Sequence, residues 1–108
     1  MNNDVKAKWI KALRSGKYKQ TQGTLKDKHG FCCMGVLCDL YDTNGWGEPK
    51  SLGSYRFLGE TGLPPKIVSL WADLNVHQKQ RRSDKELYQL NDMGSTFLEI
   101  ADIIEEEF

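Results

Sequence analysis

The sequence has none of the short signatures that announce a reaction. It contains no G-x-x-x-x-G-K-[ST] to cradle a triphosphate, no G-x-G-x-x-G to approach a pyrophosphate and no H-E-x-x-H to hold zinc. The residues around Asn91-Asp92 lack the oxygen-ligand spacing of an EF-hand. Paired carboxylates for glycoside chemistry cannot be argued from acidic helix faces alone. No apolar run approaches the roughly 18 residues that span a bilayer, so no membrane partner is expected. The first residues, Met1-Asn2-Asn3-Asp4, offer no basic stretch followed by an apolar one, as a secretory signal requires. Cysteine is scarce and odd in number: there are 3, and Cys32 and Cys33 are adjacent, a poor start for a disulfide framework. Reduced thiols in a cytoplasm are the expectation. Net charge is zero, so the uniform basic field of a duplex nucleic-acid binder is missing.

What is present suits one small globular domain. The 108 residues are 39% hydrophobic, and a chain of this length buries roughly two-thirds of its unfolded surface without needing disulfides or metal. Charge is segregated along it. Residues 1–30 carry eight basic and two acidic side chains, and residues 84–108 carry one basic and eight acidic. Either the two ends pack near one another or face solvent, partly neutralising each other, or the N-terminal part presents a local positive patch to a small anion.

Periodicity predicts the helices. Asn3 or Asp4 can cap a first helix whose stripe is Val5, Trp9, Ala12 and Leu13, widened by Ile10 and stopped at Gly16. Lys6, Lys8, Lys11 and Arg14 fall largely on its other sides. Residues 18–31 read as a β-hairpin with a turn at Asp27-Lys28-His29-Gly30, and 54–58 is a further strand candidate. Residues 33–41 form a second helix whose apolar arc of roughly 200° marks it as central and buried. Gly35 and Asp39 lie on the narrow remaining face, where Gly35 lets another backbone approach. Pro64 and Pro65 suit the first turn of a third helix with Ile67, Val68, Trp71 and Leu74 on its apolar face. Ser83-Asp84-Lys85-Glu86 and Thr96-Phe97-Leu98-Glu99 fit capping boxes of two more helices, with Asn91-Asp92-Met93-Gly94 as the turn between them. The acidic end, Glu105-Glu106-Glu107, is expected to fray against the helix dipole. The fold class is therefore α+β: about four helices around a central buried helix at 33–41, with a small antiparallel sheet from 18–31 and 54–58.

Two constellations bear on chemistry. His29, Cys32, Cys33 and Cys38 place four soft ligands within ten residues. Adjacent cysteines rarely share one ion, however, and on a helix Cys38 points about 140° from Cys33. Buried structural thiols are the better reading, and no metal or cofactor is expected. Cys32 as a nucleophile at a helix N-terminus is the alternative, although no residue to orient a Cys–His pair can be named. The second constellation is Arg14, Lys17, Tyr18, Lys19 and Gln20, where the first helix ends. Cations there compensate the helix dipole; as a site they offer a forked guanidinium and an aromatic face to a phosphate. Lys6 lies on the same helix but away from this cluster. Trp46, set between glycines, is either a lid or a plug into the core. With Tyr55 and Arg56 it would complete an aromatic wall.

Several blocks together resemble a known family. Trp9-Ile10-x-Ala12-Leu13-Arg14-Ser15-Gly16-x-Tyr18-x-Gln20, Cys32 to Leu40, Leu63-Pro64, Leu90-Asn91-Asp92 and Phe97-x-x-Ile100-Ala101-Asp102-x-Ile104-Glu105 are similar to small proteins of tailed bacteriophages and prophages. Met34 stands where that pattern usually has leucine. The resemblance spans nearly the whole chain and implies an accessory protein acting in the cytoplasm of an infected bacterium. It implies no mechanism. By analogy of lifestyle alone, such proteins block host defence by sequestering nucleotide signals at oligomer interfaces. The leading expectation is a non-catalytic, homo-oligomeric binder of a small phosphorylated nucleotide, such as a cyclic nucleotide or ADP-ribose derivative. Asp39, Asn91 and Asp92 are added to its candidate contacts. Asp39 needs a partner, which is a backbone N–H, Arg14 or a ribose hydroxyl; Asn91 and Asp92 also suit turns and caps. A small cysteine-dependent or nucleotide-cleaving enzyme is one alternative. A protein-only inhibitor that meets a host protein through the acidic last helix is the other.

Overall fold

A computed structural model describes residues 1–49, 53–74 and 84–108. The capping box at Ser83 lies outside them. Among the described residues, five helices and one two-stranded antiparallel sheet follow in the order α1 (Asn3–Arg14), β1 (Lys26–Asp27), β2 (Gly30–Phe31), α2 (Cys33–Tyr41), α3 (Lys66–Ala72), α4 (Asp84–Asp92) and α5 (Phe97–Glu107). The class is α+β, with α2 at its centre.

Each helix begins for a local reason. The Asn2 side chain accepts from Val5 N at 3.0 Å and caps α1, one residue before the expected position. Gly16 then takes φ +75°, a conformation that costs glycine nothing and stops the helix. Thr96 and Glu99 form the expected reciprocal capping box of α5. Pro65 is the N-cap of α3, so the diproline precedes that helix rather than filling its first turn. Asn91 and Asp92 are the last residues of α4, not part of the turn, which falls on Met93 and Gly94.

The core forms where the apolar faces meet. Trp9, Leu25, Met34, Leu37, Phe57, Leu87, Ile100 and Ile104 are among its fully buried side chains. Cys32 through Cys38 is buried without interruption, as the broad arc of α2 requires. Gly35 admits the Leu25 carbonyl, which a Cβ at that position would strike. Trp9 Nε1 donates to the Cys33 carbonyl at 3.0 Å, tying α1 to α2 while satisfying the buried indole.

The sheet is smaller than expected. Lys26 pairs with Phe31 and Asp27 with Gly30. Residues 19–21 lie along the other edge of β2 through Thr21 N to Phe31 O and Phe31 N to Lys19 O, both 2.8 Å. Segment 54–58 is not a third strand. Tyr55 N reaches Lys26 O, but Phe57 then bridges Trp46 and Glu60 across a tight turn. Leu58 and Gly59, both at positive φ, reverse the chain there and end any extended run.

The acidic C-terminus, where fraying was expected, is helical to Glu107. Arg14, at the end of α1, bonds Asp102 at 2.8 Å and Glu105 at 3.1 Å. The basic and acidic ends of the chain thus pack together, and their opposite charges offset the unfavourable dipole at the end of α5. No helix among the described residues is long and apolar enough to cross a membrane.

Candidate functional site

The residues singled out by the sequence fall into three places. The first is an aromatic cluster over the hairpin. Asp39 accepts from Tyr18 Oη at 2.6 Å and from Trp46 Nε1 at 3.1 Å. Among the described residues its partners are neither a backbone N–H nor Arg14. Burial, and secondarily the Asp39 carboxylate, raise the Tyr18 pKa above its ordinary value. Tyr18, Phe31, Trp46 and Phe57 stack edge to face in series, at centroid spacings of 5.0, 5.8 and 4.9 Å. Trp46 is therefore a plug and not a lid. Lys26, which the sequence did not single out, places its ammonium 4.9 Å from the Phe31 ring, 5.2 Å from Trp46 and 4.8 Å from Tyr55. That is a three-ring cation–π clasp. Trp46 and Tyr55 spend their faces on it. Arg56 stands apart, lining a separate hollow of about 330 Å³ with Glu48 and Leu58.

The second place is interior. Asn91 is fully buried. Its Nδ2 donates to Thr21 O at 2.8 Å, and its Oδ1 accepts from Gln20 Nε2 at 2.8 Å and from Cys33 N at 3.1 Å. Gln20 also donates to Ser95 O and accepts from Phe97 N. Two amide side chains thereby satisfy the first free N–H of both α2 and α5. Asp92 accepts from Gly23 N at 2.9 Å. Gln20, Asn91 and Asp92, candidate ligand contacts in the sequence, thus bond within the chain, joining the end of α4 to the segment before the hairpin and to two helix starts.

The three cysteines are free and buried. Cys32 does cap α2, its Sγ accepting from Gly35 N at 3.4 Å. Burial nevertheless outweighs the helix terminus and pushes its pKa up to about 11, so it is a neutral thiol at pH 7. Cys33 and Cys38 are raised too, again chiefly by burial. His29 is exposed, its backbone N–H turned to Asp27. Among the described residues no cluster of His, Cys, Asp and Glu could hold a metal ion.

The third place is a groove of about 760 Å³ along α1. Ala7 and Ile10 line it between Lys6 and Lys11, and Arg14, Ser15, Lys17 and Glu105 close one end. The size lies within the usual range for small-molecule sites. Arg14 is committed to its two carboxylates. Among the described residues Lys6, Lys11 and Lys17 have no carboxylate within ion-pair distance. A smaller hollow of about 280 Å³ on the other side of α1 shares Lys11, Ser15 and Lys17 and adds Lys8, Tyr18 and Leu40. Arg14, Lys17 and Tyr18 thus do gather at the helix end. Lys19 is exposed and lines neither hollow, and Lys6, which the sequence set apart, belongs to the larger one. The signal for the groove was legible in outline. Asn3, Ala7, Ile10 and Arg14 recur at helical spacing, flanked by Lys6 and Lys11.

Fold and site together describe a small α+β domain with a tightly bonded interior and a lysine-lined groove along α1. Residues 1–108 match the family model of a domain of unknown function, DUF8296, and the chain belongs to that family. No curated protein and no solved structure matches it.

Proposed function

We propose that the protein binds a small phosphorylated nucleotide, without transforming it, in the groove along α1. The observation that carries this reading is the convergence of Lys6, Lys11 and Lys17, unpaired among the described residues, on one groove with an apolar floor. Unpaired cations suit phosphate oxygens. Ala7 and Ile10 suit the face of a base or the carbon skeleton of a ribose. The neutral, buried thiols leave Cys32 without the thiolate character that the enzyme alternative needs. The resemblance to tailed-bacteriophage accessory proteins supplies the setting: sequestration of a nucleotide signal used by a bacterial host.

A thermal-shift panel of nucleotides, cyclic dinucleotides and ADP-ribose derivatives tests the reading. A ligand that binds only the folded chain at a hundredfold excess over Kd adds about 2.7 kcal/mol of stability. The expected result is a shift with at least one nucleotide, recovery of that nucleotide intact after heat denaturation, and a roughly three- to tenfold weaker affinity in Lys11→Ala through loss of a charged contact. A panel without any shift would contradict the proposal, and recovery of a cleaved nucleotide would replace it with an enzyme.

A further inference from the structure

Among the described residues the guanidinium of Arg14 is the groove cation already occupied, and the manner of its occupation is informative. Nη2 bonds Asp102 Oδ1 at 2.8 Å, and Nη1 bonds Glu105 Oε2 at 3.1 Å. Two separate anionic groups, one helical turn apart on α5, each take one arm of the fork. Asp102 and Glu105 are both exposed, and Arg14 itself is partly so, so all three sit within reach of solvent and of a solute in the groove. Glu105 lines the groove beside Arg14. Exposed ion pairs of this kind are weak and exchange readily for a better partner. A phosphoryl group fits the same planar fork and brings more charge and more acceptor oxygens than a carboxylate.

We infer that Arg14 is a diphosphate anchor, and that Asp102 and Glu105 occupy it in the free chain as an internal competitor. This rests on the nucleotide reading of the groove and adds to it a ligand class and a form of regulation. The two carboxylates stand in for two adjacent phosphoryl groups, so the anchor favours a nucleoside diphosphate or a diphosphate-linked nucleotide over a monophosphate. Lys6, Lys11 and Lys17 attract either kind of ligand. Arg14 discriminates between them. Release of the carboxylates is the cost of binding, and it sets the affinity below what the cations alone would give.

Isothermal titration with ADP and AMP, on the full chain at fixed ionic strength, tests this. Wild type should bind ADP more tightly than AMP. Asp102→Asn combined with Glu105→Gln should tighten ADP binding roughly two- to fivefold, the size of an exposed ion-pair network removed as competitor. AMP should gain less. Glu106→Gln, which removes an exposed α5 carboxylate outside the Arg14 pair, should leave the ADP affinity within error of wild type. Arg14→Gln should cut the ADP-to-AMP affinity ratio severalfold while lysine-based binding of both persists. An equal gain in Glu106→Gln would reduce the competitor to general electrostatics and overturn the inference. An ADP-to-AMP ratio undiminished by Arg14→Gln would overturn it too. If ADP and AMP both bind at equal strength to every variant, the groove reading stands and the anchor fails. If neither binds wild type or the doubly neutralised variant, the groove reading itself fails and takes the anchor with it. Circular dichroism of each variant separates lost binding from lost folding.

Discussion

The interior around Asn91 and the groove along α1 use similar side chains to opposite ends. In the interior every polar atom of Asn91 and Gln20 is spent on another part of the same chain. In the groove three lysines face a hollow with no ion-pair partner among the described residues. A polar residue in a family motif is therefore not by itself a ligand contact. What distinguishes the two regions is whether the fold has already satisfied the group. Buried amides that complete helix starts hold the fold together, because an unmet hydrogen bond there costs far more than one met by water.

This contrast can be broken from the interior side first. The buried thiols should produce the largest effect. An unfolded chain loses its thiol protons above pH 9, whereas in the folded chain burial holds that of Cys32 to about 11 and raises the pKa of Cys33 and Cys38 as well. The unfolded state then binds fewer protons, so stability is fully present below pH 9 and falls as pH rises through the folded pKa values. Each thiol that ionises in the unfolded chain and not in the folded one removes about 1.4 kcal/mol per pH unit above 9. Urea midpoints measured from pH 7 to 10 should stay level to about 8.5 and then drop. A midpoint independent of pH to 10 would mean that the thiols are not buried as described.

Asn91→Ala comes next. It leaves Cys33 N, Gln20 Nε2 and Thr21 O without their partner in a dry interior, at a cost of about 2–3 kcal/mol. Nucleotide affinity, measured on the folded fraction, should not change. A change in affinity with stability intact would move Asn91 to the ligand side of the comparison. Tyr18→Phe is the smallest, at about 1 kcal/mol for one hydrogen bond to Asp39. Denaturant unfolding measures it, and a loss far above this value would mean that Tyr18 secures the whole aromatic series.

Much of the fold was legible because it rests on local rules. The stripe of Val5, Trp9 and Leu13, the all-round apolar α2 and the Thr96–Glu99 box are each written within a few adjacent turns. The close approach at Gly35 was legible for the same reason: a glycine on the narrow face of a buried helix has little other use. The pairings across the chain were not legible. Asp39 with Trp46, Gln20 with Asn91 and Lys26 among three rings depend on which segments the topology brings together, and single-chain periodicity is silent on that. The strand expected at 54–58 failed because the φ +48° of Leu58 is set by a tight turn that β propensity does not anticipate. At the candidate site, the cationic character of the region around Arg14 was readable from composition. The commitment of Arg14 to α5 required the geometry.

The central claim is that the free cations of α1, and not the bonded polar interior, receive the ligand. A ¹H–¹⁵N correlation spectrum of the full chain titrated with ADP tests it most directly. The account predicts saturable shifts at Lys6 to Lys17 and at Asp102 to Glu105, with the amides of Thr21 to Gly23 and of Cys33 unmoved. Shifts centred on Thr21, Cys33 and Asn91, or on Trp46 and Tyr55 with α1 silent, would contradict it.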